Sequence, residues 1–166
     1  MRNPRTRNRG MTFTEILFSI LILAVGILGV SGLQALSLQQ NRSALFRADA
    51  LQLGNDILDR IRANPSSTYA PITLVDEPDA DKNCINVECN PAEMAEFDIA
   101  QWKCSLNSDD DVGDPITLCQ NYGIRGSIPG GAGSITLTDE VYEVTVQWVD
   151  DSKGTVAFIR LRTQVD

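Results

Sequence analysis

The feature that most limits this chain is a stretch without a single charge, Ile16 to Asn41, placed almost at its start. It exceeds the roughly 20 residues that a helix needs to cross the apolar core of a bilayer. Arg2, Arg5, Arg7 and Arg9 precede it, and the first acid is Glu15. Such a basic leader holds the N-terminus in the cytoplasm and sends the chain beyond the apolar run to the other side. A secretory signal peptide meets this description, with its cleavage site after the apolar region, in "GVSGLQA". A plain membrane anchor meets it too. Neither explains Glu15, because a carboxylate within hydrocarbon costs about 2.5 kcal/mol or more without a partner.

The order of basic leader, Gly10 and then "MTFTEILFSILILAVGILG" resembles the class III signal sequence of type IV prepilins and pseudopilins. The resemblance implies cleavage after Gly10 by the prepilin peptidase, on the cytoplasmic side, and methylation of the new terminus at Met11. Glu15 then takes the place of the family's acidic fifth residue; Met11 stands where phenylalanine is commoner. The chain so divides into a leader (1–10), a transmembrane and assembly helix (11–36) and a periplasmic globular domain (37–166). That domain includes the second half of the long helix. Within a filament, the Glu15 carboxylate would pair with the free amine of a neighbouring subunit's Met11. A buried charge left unpaired is costly, so a wrong register between subunits is penalised. Gly26, Gly29 and Gly32 permit either local loosening of the helix or close helix packing, and the sequence leaves both open.

Beyond the apolar run the helical period continues. Phe46, Ala50, Leu53, Ile57 and Ile61 fall on one stripe, and Asp56–Arg60 and Asp59–Arg62 are favourably oriented pairs. Asn64-Pro65 ends the helix, since proline pushes its predecessor out of helical geometry. A helix from Thr12 to Ala63 would measure on the order of 75 Å. "SSTYAPITLVDEPDADKNCINVEC" reads as an irregular connection that needs bracing. Asn90 as N-cap, Pro91 and Glu93 then start a second helix, with Ala95, Ile99, Trp102 and Leu106 on its inner stripe. Trp102 reads as a core anchor. After the glycine-rich turn "GSIPGGAGSI" come "SITLT", "VYEVTVQWV" and "TVAFIRLRT", three neighbouring strands that imply an antiparallel meander. Tyr142, Val144, Val146 and Trp148 share one face with Ala157, Ile159 and Leu161, while Arg160 and Arg162 point outward.

Composition narrows the function. The chain has 166 residues, a formal net charge of −8 and no histidine. Its acidity opposes nucleic-acid binding. Without histidine or a spaced set of acids, general acid–base and nucleophilic catalysis lack their parts, so neither an enzyme nor a cofactor is expected. "SDDDVGD" does not follow the spacing of an EF-hand and reads as a solvated acidic turn, Asp109 to Asp114, rather than a calcium site. The four cysteines, Cys84, Cys89, Cys104 and Cys119, contain no CxxC pair, which disfavours zinc. In an exported domain they imply two disulfides, with three connectivities open; the pairs close in sequence are Cys84–Cys89 and Cys104–Cys119.

A second resemblance covers the rest of the chain. "DRIRANP", "AEFDIAQW" with its flanking cysteines, "PGGAGSI" and "YEVTVQWVD" resemble the type IV pilus minor pilins of the PilV type, the pilus modification proteins. It implies an α+β type IV pilin fold, a long spine helix packed on an antiparallel meander. It also implies a low-abundance subunit that helps initiate pilus assembly at or near the filament tip and supports twitching motility. The expected partners are other minor pilins, the major pilin, the prepilin peptidase and the inner-membrane assembly platform. Its expected location is the inner membrane and then the pilus. The competing expectation is a minor pseudopilin of a type II secretion system.

Overall fold

The computed structural model describes residues 12–110, 112–150 and 154–164. Gly10 and Met11 lie outside them, as does most of the "DDSKG" turn. The elements in order are α1 (Phe13–Ala63), α2 (Pro91–Leu106), α3 (Thr117–Tyr122), β1 (Ala132–Thr138), β2 (Val141–Val149) and β3 (Val156–Gln164). The chain divides into two compact units, Met1–Arg42 and Ser43–Asp166, with the division inside α1.

The second unit holds the core. Its sheet has the order β1-β2-β3, antiparallel throughout, with Val144 between Ile135 and Leu161 at its centre. Strand alternation puts Tyr142, Val144, Val146 and Trp148 inward on β2, where all four are buried. They meet Ala50, Ile57, Leu58 and Ile61 of α1 and Ala95, Ile99, Trp102 and Leu106 of α2 in one cluster. The helical and strand periods read from the sequence therefore converge on the same core. Trp102 is fully buried, and its indole Nε1 donates to the Leu53 carbonyl of α1 at 2.9 Å. A buried indole needs such an acceptor, so the contact joins α2 to α1 without leaving a polar orphan. Two glycines permit the closeness of these layers. A Cβ on Gly133 would lie 2.4 Å from both Trp102 and Leu106, and one on Gly54 would lie 2.6 Å from Leu161.

α2 begins with a complete capping box. Asn90 accepts from the Ala92 and Glu93 amides, and Glu93 accepts in turn from the Asn90 amide. This reciprocal arrangement satisfies donors that the first turn would otherwise leave bare. The connection from 64 to 90 is irregular, yet well held. Ile72 exchanges two backbone bonds with Ile135 of β1, each 3.0 Å. The Lys103 ammonium donates to the Thr73 carbonyl at 2.8 Å. Cys84–Cys89 closes the connection's far end, and Cys104–Cys119 ties α2 to α3. α3 is a six-residue helix that sequence reading passes over. The β1–β2 turn puts Asp139 and Glu140 at positive φ (48° and 66°), as a two-residue hairpin turn requires.

Candidate assembly surface

The first segment of α1 is apolar on every side. Phe13, Leu17, Phe18, Leu21, Ile22, Leu28 and Leu33 are all exposed, at angular positions that circle the helix. Its most apolar window has a mean hydropathy of 2.6, and none of that window is buried within the chain. A core helix would be buried; one exposed and apolar all round needs a surrounding that is not water. Length and composition suit a bilayer crossing. Two of the serine hydroxyls along it are satisfied within the helix. Ser19 Oγ donates to the Glu15 carbonyl and Ser31 Oγ to the Ile27 carbonyl, both at 2.8 Å. Such internal closure is what a segment in hydrocarbon demands.

Glu15 stands in the first turn of α1, where a carboxylate complements the positive end of the helix dipole. Its amide donates to the Thr12 carbonyl at 3.0 Å. Gly26, Gly29 and Gly32 have nothing within 4 Å of where a Cβ would sit. No packing among the described residues calls for a glycine at these three positions, unlike Gly54 and Gly133.

In the second unit, three features invite a chemical reading. The first is a polar cluster that the sequence does not advertise. Arg60 of α1 donates to Asp98 of α2 at 3.0 Å and to Asp56 at 3.0 Å, and also reaches Gln101. Tyr69 Oη donates to the other Asp98 oxygen at 2.6 Å. Burial, then the Asp98 carboxylate beside it, hold the Tyr69 hydroxyl well above the ordinary tyrosine range. Tyr69 is fully buried and Asp98 nearly so, while Arg60 and Asp56 reach the surface, and the cluster acts as a structural clamp between α1 and α2.

The second is a cleft of about 380 Å³ between residues 74–78 and 107–110, with Lys103 among its lining groups. Burial lowers the Lys103 ammonium to a pKa of about 8, opposed by the charge of Asp76. The cleft's polar groups are occupied by the fold itself. Lys103 serves the 73–74 carbonyls, and Asp76 accepts from the Thr73 amide. Asp110 Oδ1 accepts from the amides of Val112 and Asp114 at 2.9 and 2.8 Å, closing the acidic turn on itself. The third feature is the outer edge of the sheet, where β3 presents Val156, Phe158, Arg160 and Arg162 to solvent.

The geometry thus pairs an exposed apolar helix, headed by an acid, with a small disulfide-braced α+β domain. Residues 32–100 match the family model described as Tt1218-like, type IV pilin Tt1218. The matched span covers the later part of α1, the irregular connection and most of α2, including "DRIRANP" and all but the end of "AEFDIAQW". Comparison with curated proteins and with solved structures gives no match. The helix, the three-stranded antiparallel sheet and the family match agree on the α+β type IV pilin fold, and the match supports a pilin role.

Proposed function

We propose that this chain is a minor pilin of the PilV type, which helps to start type IV pilus assembly and sits at or near the filament tip. One observation carries the reading. A charge-free helix, apolar all round and headed by Glu15, runs without a break into a domain whose first part matches a type IV pilin model. A soluble enzyme or binding domain has no use for such a helix, and a plain anchor has no use for Glu15. After cleavage behind Gly10, the helix would hold the subunit in the inner membrane with its domain in the periplasm. It would then transfer laterally into a bundle of like helices. There the amine of a neighbour's Met11 answers Glu15, and Gly26, Gly29 and Gly32 acquire the close neighbours that they lack among the described residues of one chain.

The motifs "DRIRANP" and "AEFDIAQW" support the PilV-type assignment, and the structure gives them a physical reason: Arg60 in one grips Asp98 and Gln101 in the other. The partners in this reading are other minor pilins, the major pilin, the prepilin peptidase and the inner-membrane assembly platform. The alternative is a minor pseudopilin of type II secretion, which shares the fold and the leader. A deletion strain scored for surface pili, twitching and exoprotein secretion separates the two. Loss of pili and twitching with normal major-pilin processing supports the proposal. Lost secretion with intact pili replaces it by the pseudopilin.

A further inference from the structure

The two edges of the sheet are treated differently. On the β1 side, Ile72 exchanges both backbone bonds with Ile135, so an incoming strand finds that edge interrupted. On the β3 side, no backbone bond beyond those to β2 involves residues 156–164 among the described residues. An open edge of nine residues is a template for strand pairing, which proteins ordinarily blunt with proline, charged side chains, a bulge or brevity. β3 has no proline and no bulge, and its charges, Arg160 and Arg162, are of one sign, so they bar a cationic strand and not an acidic one. Its register with β2 is unbroken from Val156 to Gln164.

The side chains along this edge are graded. Val156 and Phe158 are more than half exposed on the outward face. Arg160 and Arg162 come next on the same face. Arg162 is answered by Glu143 at 2.5 Å, whereas Arg160 lies over the Phe158 ring at 5.1 Å and has no carboxylate partner among the described residues. β3 carries two arginines and no acid in a chain whose net charge is −8, so it is the cationic border of an acidic molecule.

We infer that β3 is a docking edge for an extended segment of a neighbouring subunit, added as a fourth strand, whose outward side chains run from apolar beside Phe158 to carboxylate beside Arg160. Backbone pairing along the edge would give the affinity, and the graded side chains would give the register. A cationic partner is repelled by Arg160, since the charge of Arg162 is answered by Glu143. An uncharged one leaves Arg160 desolvated without an opposite charge. The inference rests on the filament reading of this chain, since a filament is what brings a neighbouring domain alongside.

The test uses the full-length chain in its own cells, with p-benzoylphenylalanine placed at Phe158 and, as control, at exposed Thr136 on β1. After irradiation, the sheared filament fraction should contain an adduct with another subunit from position 158 and little from position 136. The linked peptide should carry Asp or Glu. Arg160→Glu in the same background should lower the adduct roughly tenfold, since a repulsive pair replaces an attractive one, and Arg160→Lys should largely preserve it. Equal adducts at both positions, a linked peptide without acids, or indifference to Arg160→Glu would overturn the inference alone. Absence of the chain from the filament fraction would overturn the filament reading, and this inference with it.

Discussion

Removing the Asp98 carboxylate probes the clamp between α1 and α2 most sharply. Asp98 accepts from Arg60 and from Tyr69, and its side chain is only 10% exposed. In Asp98→Ala, the Tyr69 hydroxyl keeps an acceptor, the Arg60 carbonyl at 3.1 Å. Arg60 keeps Asp56 and Gln101. The loss is therefore below the roughly 3–5 kcal/mol of a fully stranded buried charge. A hydrogen bond to a charged group contributes about 1.5–3 kcal/mol, so the expected cost is about 2–3 kcal/mol. Urea unfolding of the full chain in detergent, tracked by the near-ultraviolet signal of buried Trp102 and Trp148, should show a midpoint lowered by roughly 1 M. The double variant Arg60→Met with Asp98→Ala isolates the pair. Because each single change already breaks it, the two costs should fall short of adding by about 1.5 kcal/mol. Additivity within about 0.5 kcal/mol would refute the clamp.

Other perturbations test the same packing and the proposed role of Glu15. Gly133→Ala drives a methyl into Trp102 and Leu106 and should cost about 1–3 kcal/mol by the same unfolding assay; no loss would mean that the layers have room to part. Lys103 has a folded pKa of about 8 against an ordinary 10.5, so above pH 8 the folded state releases its proton first. The unfolded state then binds more protons, and stability should rise with pH from about 8 towards 10.5. Lys103→Met should lack that rise, and a wild-type profile that falls as steeply as the variant's over this window would contradict the burial assigned to the ammonium. Glu15→Ala should leave cleavage and membrane insertion intact but lower incorporation into filaments, scored by immunoblot of sheared pili; full incorporation would remove its docking role.

Much of the fold was legible because its elements are periodic. The α1 stripe, the α2 capping box and the alternation of β2 each announce which face is inward, and those faces meet in one core. The bracing of residues 64–90 was not legible beyond its cysteines. Tyr69, Ile72 and Lys103 act through contacts 29 to 73 positions away in sequence, and no local pattern records such a distance. Asp98 and Lys103 fall off the apolar stripe of α2, so the helical period gives no sign that both are buried. The β1–β2 turn escaped notice because Asp139-Glu140 replaces the glycine or asparagine that usually marks a left-handed turn. α3 is too short for a period to show, and its signal is only Gly123 in the left-handed region at its end. Of the candidate assembly surface, the charge-free run and Glu15 were readable at once. That the three glycines serve no packing among the described residues needed coordinates.

The most direct test of the account is the mature N-terminus of the chain recovered from sheared pili. Mass spectrometry should find an N-terminal peptide that begins at N-methylated Met11, with Glu15 as its fifth residue and no trace of residues 1–10. That result would join processing behind Gly10 to residence in the filament. A terminus near Ala35, or an uncut chain that remains in the membrane while pili are normal, would contradict it.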